Sequence, residues 1–165
     1  MTPIADTYIS YAAPDTNYGT APTLYVGKNE TSIGRSLFQF DLSTIPGGST
    51  VISATFQAYL VAFSTTPSSL YVELQRVDDS WTELGVSWNN QPGSTSIGKV
   101  NGVATAMRYY DWEVTDLVQS WLDETANNGL ALWSYAESTF GWRGFASRES
   151  VSPPRPPRLV ITYGP

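Results

Sequence analysis

The sequence predicts an all-β fold, an antiparallel β-sandwich of jelly-roll type with one short helix. Three observations carry that prediction. Apolar residues recur with a period of two along most of the chain, turn-forming clusters separate these runs at short intervals, and a single segment has helical spacing.

The elements follow in order. DTYIS at 6–10 and TLYVG at 23–27 are short β-rich runs, divided by the turn signal PDTNYG at 14–19. SLFQFDL at 36–42 places Phe38, Phe40 and Leu42 on one face. After IPGGST, the run VISATFQAYLVA at 51–62 aligns Ile52, Ala54, Phe56, Ala58, Leu60 and Ala62 inward, with Ser53, Thr55, Gln57 and Tyr59 turned the other way. SLYVELQRV at 69–77 repeats the pattern with Leu70, Val72 and Leu74 inward and Tyr71, Glu73 and Gln75 outward. In RYYDWEV at 108–114, Tyr110, Trp112 and Val114 share the core face, while Tyr109, Asp111 and Glu113 share the outer one. TDLVQSWLDE at 115–124 changes period, since Leu117, Val118, Trp121 and Leu122 form a helical stripe with Thr115 as N-cap and Asp116 in the first turn. NNG at 127–129 supplies a left-handed stop at Asn128 or Gly129. GLALWSY at 129–135, RGFASRE at 143–149 and PRLVITY at 157–163 complete the strands, and the prolines of SPPRPP confine 152–157 to a loop.

A chain of 165 residues fits one domain, 1–165, large enough to withdraw roughly 70% of its unfolded surface from water. The charge of -6 opposes the phosphate neutralisation that nucleic-acid binding needs, and it weakens long-range attraction to any polyanion. No apolar run is long enough to cross a bilayer, and the opening residues read as a strand rather than as a leader, so no membrane insertion is expected. The chain has neither Cys nor His, which excludes disulfides, thiol nucleophiles, Ser-His-Asp triads and imidazole-bound zinc. Paired carboxylates remain available for glycoside hydrolysis, among them Asp78, Asp79, Glu83, Asp111, Glu113, Asp123 and Glu124. In a chain with fifteen acids such pairs carry no specific signal, and no catalytic residue is assigned.

Eight segments, in this order, resemble the DNRLRE domains, also classed as carbohydrate-binding module family 96. They are ADTYIS, NYGTAPTLYVG, RSLFQFDLSTIP, VDDSWTELGVSWNNQP, WEVTDLVQSW, NNGLAL, FASRE and PPRLVITY, and together they span almost the whole chain. The resemblance implies a jelly-roll sandwich in a secreted or cell-surface protein, with a non-catalytic accessory role as a polysaccharide binder. The family's best-described members hold acidic polysaccharides such as alginate. Glu113 departs from the family's WDVTDLV, which has Asp at that position.

Stacking on a sugar needs aromatic faces presented to solvent. Trp133 and Tyr135 alternate away from Leu130 and Leu132, Trp142 and Arg143 sit in the loop AESTFGWRG, and Tyr109 lies on an outer face. These five are the candidate ligand contacts. Trp81, Trp88, Trp112 and Trp121 read as structural, and Arg148 with Glu149 as a cross-strand pair. A calcium ion needs about six to eight oxygens, and Asp6, Asp111 and Glu113 are the candidate ligands. The DTN at 15–17 fails as an EF-hand loop, which requires Gly and Glu where Thr20 and Val26 stand. The alternative to a polysaccharide binder is a structural spacer in a stalk, adhesin or filament, its aromatics covered by neighbouring domains or copies of the chain.

Overall fold

A computed structural model describes residues 1–123 and 125–165; Glu124, named above among the carboxylates, lies outside the described residues. The strands are β1 Ala5–Ser10, β2 Thr23–Lys28, β3 Ile33–Gln39, β4 Thr50–Phe63, β5 Leu70–Val77, β6 Ser94–Val103 and β7 Tyr109–Glu113. The helix α1 Thr115–Leu122 follows, and then β8 Leu130–Ser134, β9 Gly141–Ala146 and β10 Arg158–Gly164. Every pairing between these strands is antiparallel. The sheet curls into a sandwich as the sequence predicts. One layer runs β1-β3-β8-β5-β6, and the other runs β2-β9-β4 with β7 and β10 along β4.

The layers meet through aromatic side chains. Phe38 from β3 packs on Phe56 from β4 at 4.8 Å, Phe56 on Trp112 from β7 at 5.9 Å, and Trp112 on Phe145 from β9 at 6.2 Å. All four are buried, and Trp112 donates its indole N–H to Val72 O on β5 in the opposite layer at 3.0 Å. Burying each ring contributes roughly 1.5–3 kcal/mol, and the indole bond removes the cost of enclosing a polar atom.

Beyond β4's fourth residue the expected alternation holds, with Ala54, Phe56, Ala58 and Leu60 all buried. At its start it does not. Ile52 is 66% exposed and Val51 is buried instead, because β10 skips a residue: Thr162 pairs with Ser53 but Tyr163 with Val51. That bulge leaves Ile52 unpaired and exchanges the faces on either side of it. The polar, glycine-containing β6 went unanticipated as a strand, because STSIGKVNGV has no continuous apolar alternation.

The outer face of the first layer carries a second apolar cluster. Ile9, Leu37, Val77 and Ala131 alternate with core residues and are covered by the loop 78–93 through Trp81, Val86 and Trp88. Trp81 fixes that loop by donating to Asn128 O at 2.9 Å. The helix closes one end of the core with Leu117, Val118 and Trp121. Its N-cap is Val114, not Thr115; the Thr115 hydroxyl is turned back to accept the N–H of Ala54 at 2.9 Å, tying the helix to β4. Gly129 does take a positive φ of 84°.

The bulge makes an opposed pair of expectations. Ile52→Ser changes the unfolding free energy by no more than about 0.5 kcal/mol, whereas Val51→Ser lowers it by roughly 2–4 kcal/mol, both read from urea denaturation.

Candidate functional site

A cavity of about 480 Å³ opens where the two layers join. The joint is a single residue pair, Gly27 on β2 with Gly34 on β3. Gly27 has φ 101°, and a Cβ there would stand 2.3 Å from Gly141 O, so only glycine permits the approach of β2 to β9 at this point. Tyr8 stacks on Tyr18 at 4.3 Å and meets Tyr25 edge-on at 5.3 Å, and Tyr25 meets Trp142 edge-on at 5.8 Å. Burial, with the neighbouring Tyr18 and Tyr25 phenols, pushes the Tyr8 phenol above its ordinary value, so it stays an uncharged hydrogen-bonding group. Ser10 and Ser32 share a hydrogen bond of 2.8 Å on the polar side, beside the exposed Asn29 and Thr31. Glu30 is the one charged residue in this lining. Phe140, 41% exposed, borders both this groove and a smaller apolar hollow that contains Tyr71 and Tyr135, each more than 60% exposed.

Of the five expected ligand contacts, the structure brings Trp142 into the groove and Tyr135 into the adjoining hollow. The other three stand elsewhere. Arg143 is fully buried at the end of the sandwich, donating to the carbonyls of Val103, Ala104, Ser64, Trp142 and Pro67; a guanidinium enclosed this way has no face left for a ligand. Trp133 has its ring covered by Arg35 at 3.6 Å, and the same guanidinium lies 4.5 Å from Trp88. Glu137 holds Arg35 there with two bonds of 2.7 Å. Tyr109 is half-buried under Arg158 at 4.2 Å, with its hydroxyl donated to Pro156 O, and so anchors the proline loop. Tyr8 and Tyr25 were not anticipated in the groove, although Tyr25 alternates away from Leu24 and Val26 and its exposure was readable from that.

The expected metal trio also separates. Asp6 is in the first layer, whereas Asp111 and Glu113 stand on β7 in the second. Gln57 donates to Asp111, and Lys99 is paired with Glu113. Lys99, then Thr115, pulls the Glu113 carboxyl down to about 2. Asp6 meets Glu83 and Glu149 instead, one oxygen of each lying within 4.8 Å of the others. Arg148 is not in a cross-strand pair: it follows β9, grips Glu83 with bonds of 2.8 and 2.6 Å and touches its neighbour Glu149 at 3.0 Å.

The model of carbohydrate-binding module family 96 matches residues 1–163. The chain is 27% identical over 173 residues to the tRNA nuclease WapA of Bacillus subtilis strain 168, covering 96% of this chain and 7% of that protein. It is 28% identical over 169 residues to a gellan lyase of Bacillus sp., covering 98% of this chain and 6% of that protein. The chain thus spans less than a tenth of the length of either relative.

Arg143 provides the test of this geometry. Arg143→Leu takes a donor away from five interior carbonyls and lowers the unfolding free energy by roughly 3 kcal/mol or more, measured by denaturant titration.

Proposed function

The chain belongs to carbohydrate-binding module family 96, and from that premise we propose that it holds an uncharged polysaccharide in the groove of Tyr8, Tyr25 and Trp142. The observation that carries this reading is the composition of the groove. Rings that can cover the C–H face of a pyranose stand beside serine, threonine and asparagine groups that can bond its hydroxyls. Phe140 extends the apolar track toward Tyr71 and Tyr135, so that a chain of several sugars rather than a single residue suits the surface. Glu30 is the lining's only charge and the protein carries -6, a combination that repels uronate and sulfate polymers rather than attracting them. Uncharged glycans are therefore the class favoured here over the acidic polysaccharides expected from resemblance.

The role is binding without catalysis. Hydrolysis of a glycosidic bond by the common route needs two carboxylates about 5 to 9.5 Å apart across the substrate, and this groove offers one. Relatives many times longer than this chain support its being an accessory module, adjoining other domains in a secreted or cell-surface protein.

Affinity electrophoresis through gels containing neutral or uronate polysaccharides tests the proposal. A neutral polymer is expected to retard the wild-type protein with little dependence on salt. Tyr25→Ala and Trp142→Ala each weaken retardation about tenfold, while Tyr163→Ala, on the exposed side of β10, leaves it unchanged. Retention of uronate polymers alone overturns the uncharged class; indifference to both groove substitutions overturns the site.

A further inference from the structure

Three carboxylates converge where β1, the loop 78–93 and the chain after β9 meet, and their hydrogen bonds are incomplete. Glu83 is satisfied: its Oε1 accepts the Asp6 N–H at 2.9 Å and the Arg148 Nε at 2.8 Å, and its Oε2 accepts Arg148 Nη2 at 2.6 Å. Asp6 Oδ2 accepts the Arg148 N–H at 2.9 Å, and Glu149 Oε1 lies 3.0 Å from Arg148 Nε. Asp6 Oδ1 and Glu149 Oε2 are buried with no partner among the described residues. Asp6 is only 1% exposed, so bulk water does not reach its carboxylate.

An unpartnered carboxylate oxygen enclosed in a protein is costly, and two in one cluster more so. With all three carboxyls ionised, one guanidinium leaves two negative charges uncompensated, which a single divalent cation neutralises. One oxygen from each residue lies within 4.8 Å of the others, a separation that fits ligands around an ion with bonds of about 2.3 to 2.6 Å. We propose that Asp6, Glu83 and Glu149 bind one calcium ion, which fastens β1 and the loop 78–93 to the segment following β9. Arg148 holds the satisfied oxygens, leaving to the ion Asp6 Oδ1, Glu149 Oε2 and the second lone pair of Glu83 Oε2, which accepts a single bond. Glu83 and Glu149 keep 15% and 25% of their side-chain surface exposed, an opening through which water completes the coordination. Calcium suits this irregular set of oxygens better than magnesium, which demands a near-regular octahedron. The trio differs from the one expected from sequence, sharing only Asp6. It is also independent of the groove and does not rest on the polysaccharide reading.

Burial pushes the Asp6 carboxyl up to about 8, and the charges of Glu149 and Glu83 push in the same direction against the Arg148 N–H. The metal-free cluster is therefore short of positive charge, in keeping with the geometry. A proton shared between Asp6 and Glu149 is the competing occupant.

The experiment is a thermal melt of the whole chain at slightly alkaline pH in excess CaCl₂ and in EDTA, paired with calorimetric titration of CaCl₂. One calcium per chain is expected, and saturation at about a hundredfold above Kd raises the midpoint by about 5 to 10 °C. Asp6→Asn and Glu149→Gln are expected to abolish both responses. The amide that Asp6→Asn introduces can donate to Glu149 Oε2, so this variant in EDTA melts no lower than wild type in EDTA, and a lost response is not a lost fold. No heat and no shift with calcium overturns the site. So does a calcium response that survives Asp6→Asn, and so does a midpoint that ignores calcium and climbs on acidification, which assigns the gap to a shared proton.

Discussion

The contact between Trp112 and Val72 joins what the hydrogen-bonded sheet leaves apart. Its indole N–H reaches a carbonyl of the opposite layer, and its ring continues a column from Phe38 through Phe56 to Phe145. Among the described strands the layers share one paired position, Gly27 with Gly34. The spacing of the layers is therefore set by side chains, and the width of the groove at the glycine joint follows from it. Tyr8 and Tyr25 meet across that joint from different layers.

Three arginines show how a chain with few charges uses them as fasteners. Arg143 gathers five carbonyls at one end of the sandwich, where their partial charges compensate a buried cation without a carboxylate. Arg35 lies over Trp133, close to Trp88, and takes Glu137 as its ionic partner, locking the outer cluster. Arg148 fixes Glu83 and so the loop 78–93. Each covers an aromatic face, an acid or a set of carbonyls that a sequence reading would otherwise assign to a ligand. The rings left available are at Tyr25, Trp142, Phe140, Tyr71 and Tyr135, where the groove and the adjoining hollow open to solvent.

The acids divide in the same way. Asp111 accepts from Gln57 on β4, Glu113 pairs with Lys99 at the edge between β6 and β7, and Asp78 is held below its ordinary value, chiefly by Thr95. At Asp6, by contrast, burial outruns compensation. A surface acid loses little by standing alone, because water answers it; one closed off by three segments has no such recourse.

The period-two pattern by itself determined the class of fold and the inward faces at Phe38, Phe56, Leu74, Trp112 and Leu132, and its break to helical spacing at 115–124 determined the single helix. Those features follow from local geometry, since side chains alternate along any strand whatever its neighbours. The slip at Ile52 came from the pairing of β10, over a hundred residues later in the chain. Whether Trp133, Arg143 or Tyr109 faced solvent depended on what lay above it: Arg35, the carbonyls of the 64–67 and 103–104 segments, and Arg158. Alternation states which side of a sheet a residue occupies. Only the tertiary structure decided whether that side was already covered, and so placed the groove at Tyr25 and Trp142 and the carboxylate cluster at Asp6, Glu83 and Glu149, because both are assembled from segments far apart in sequence.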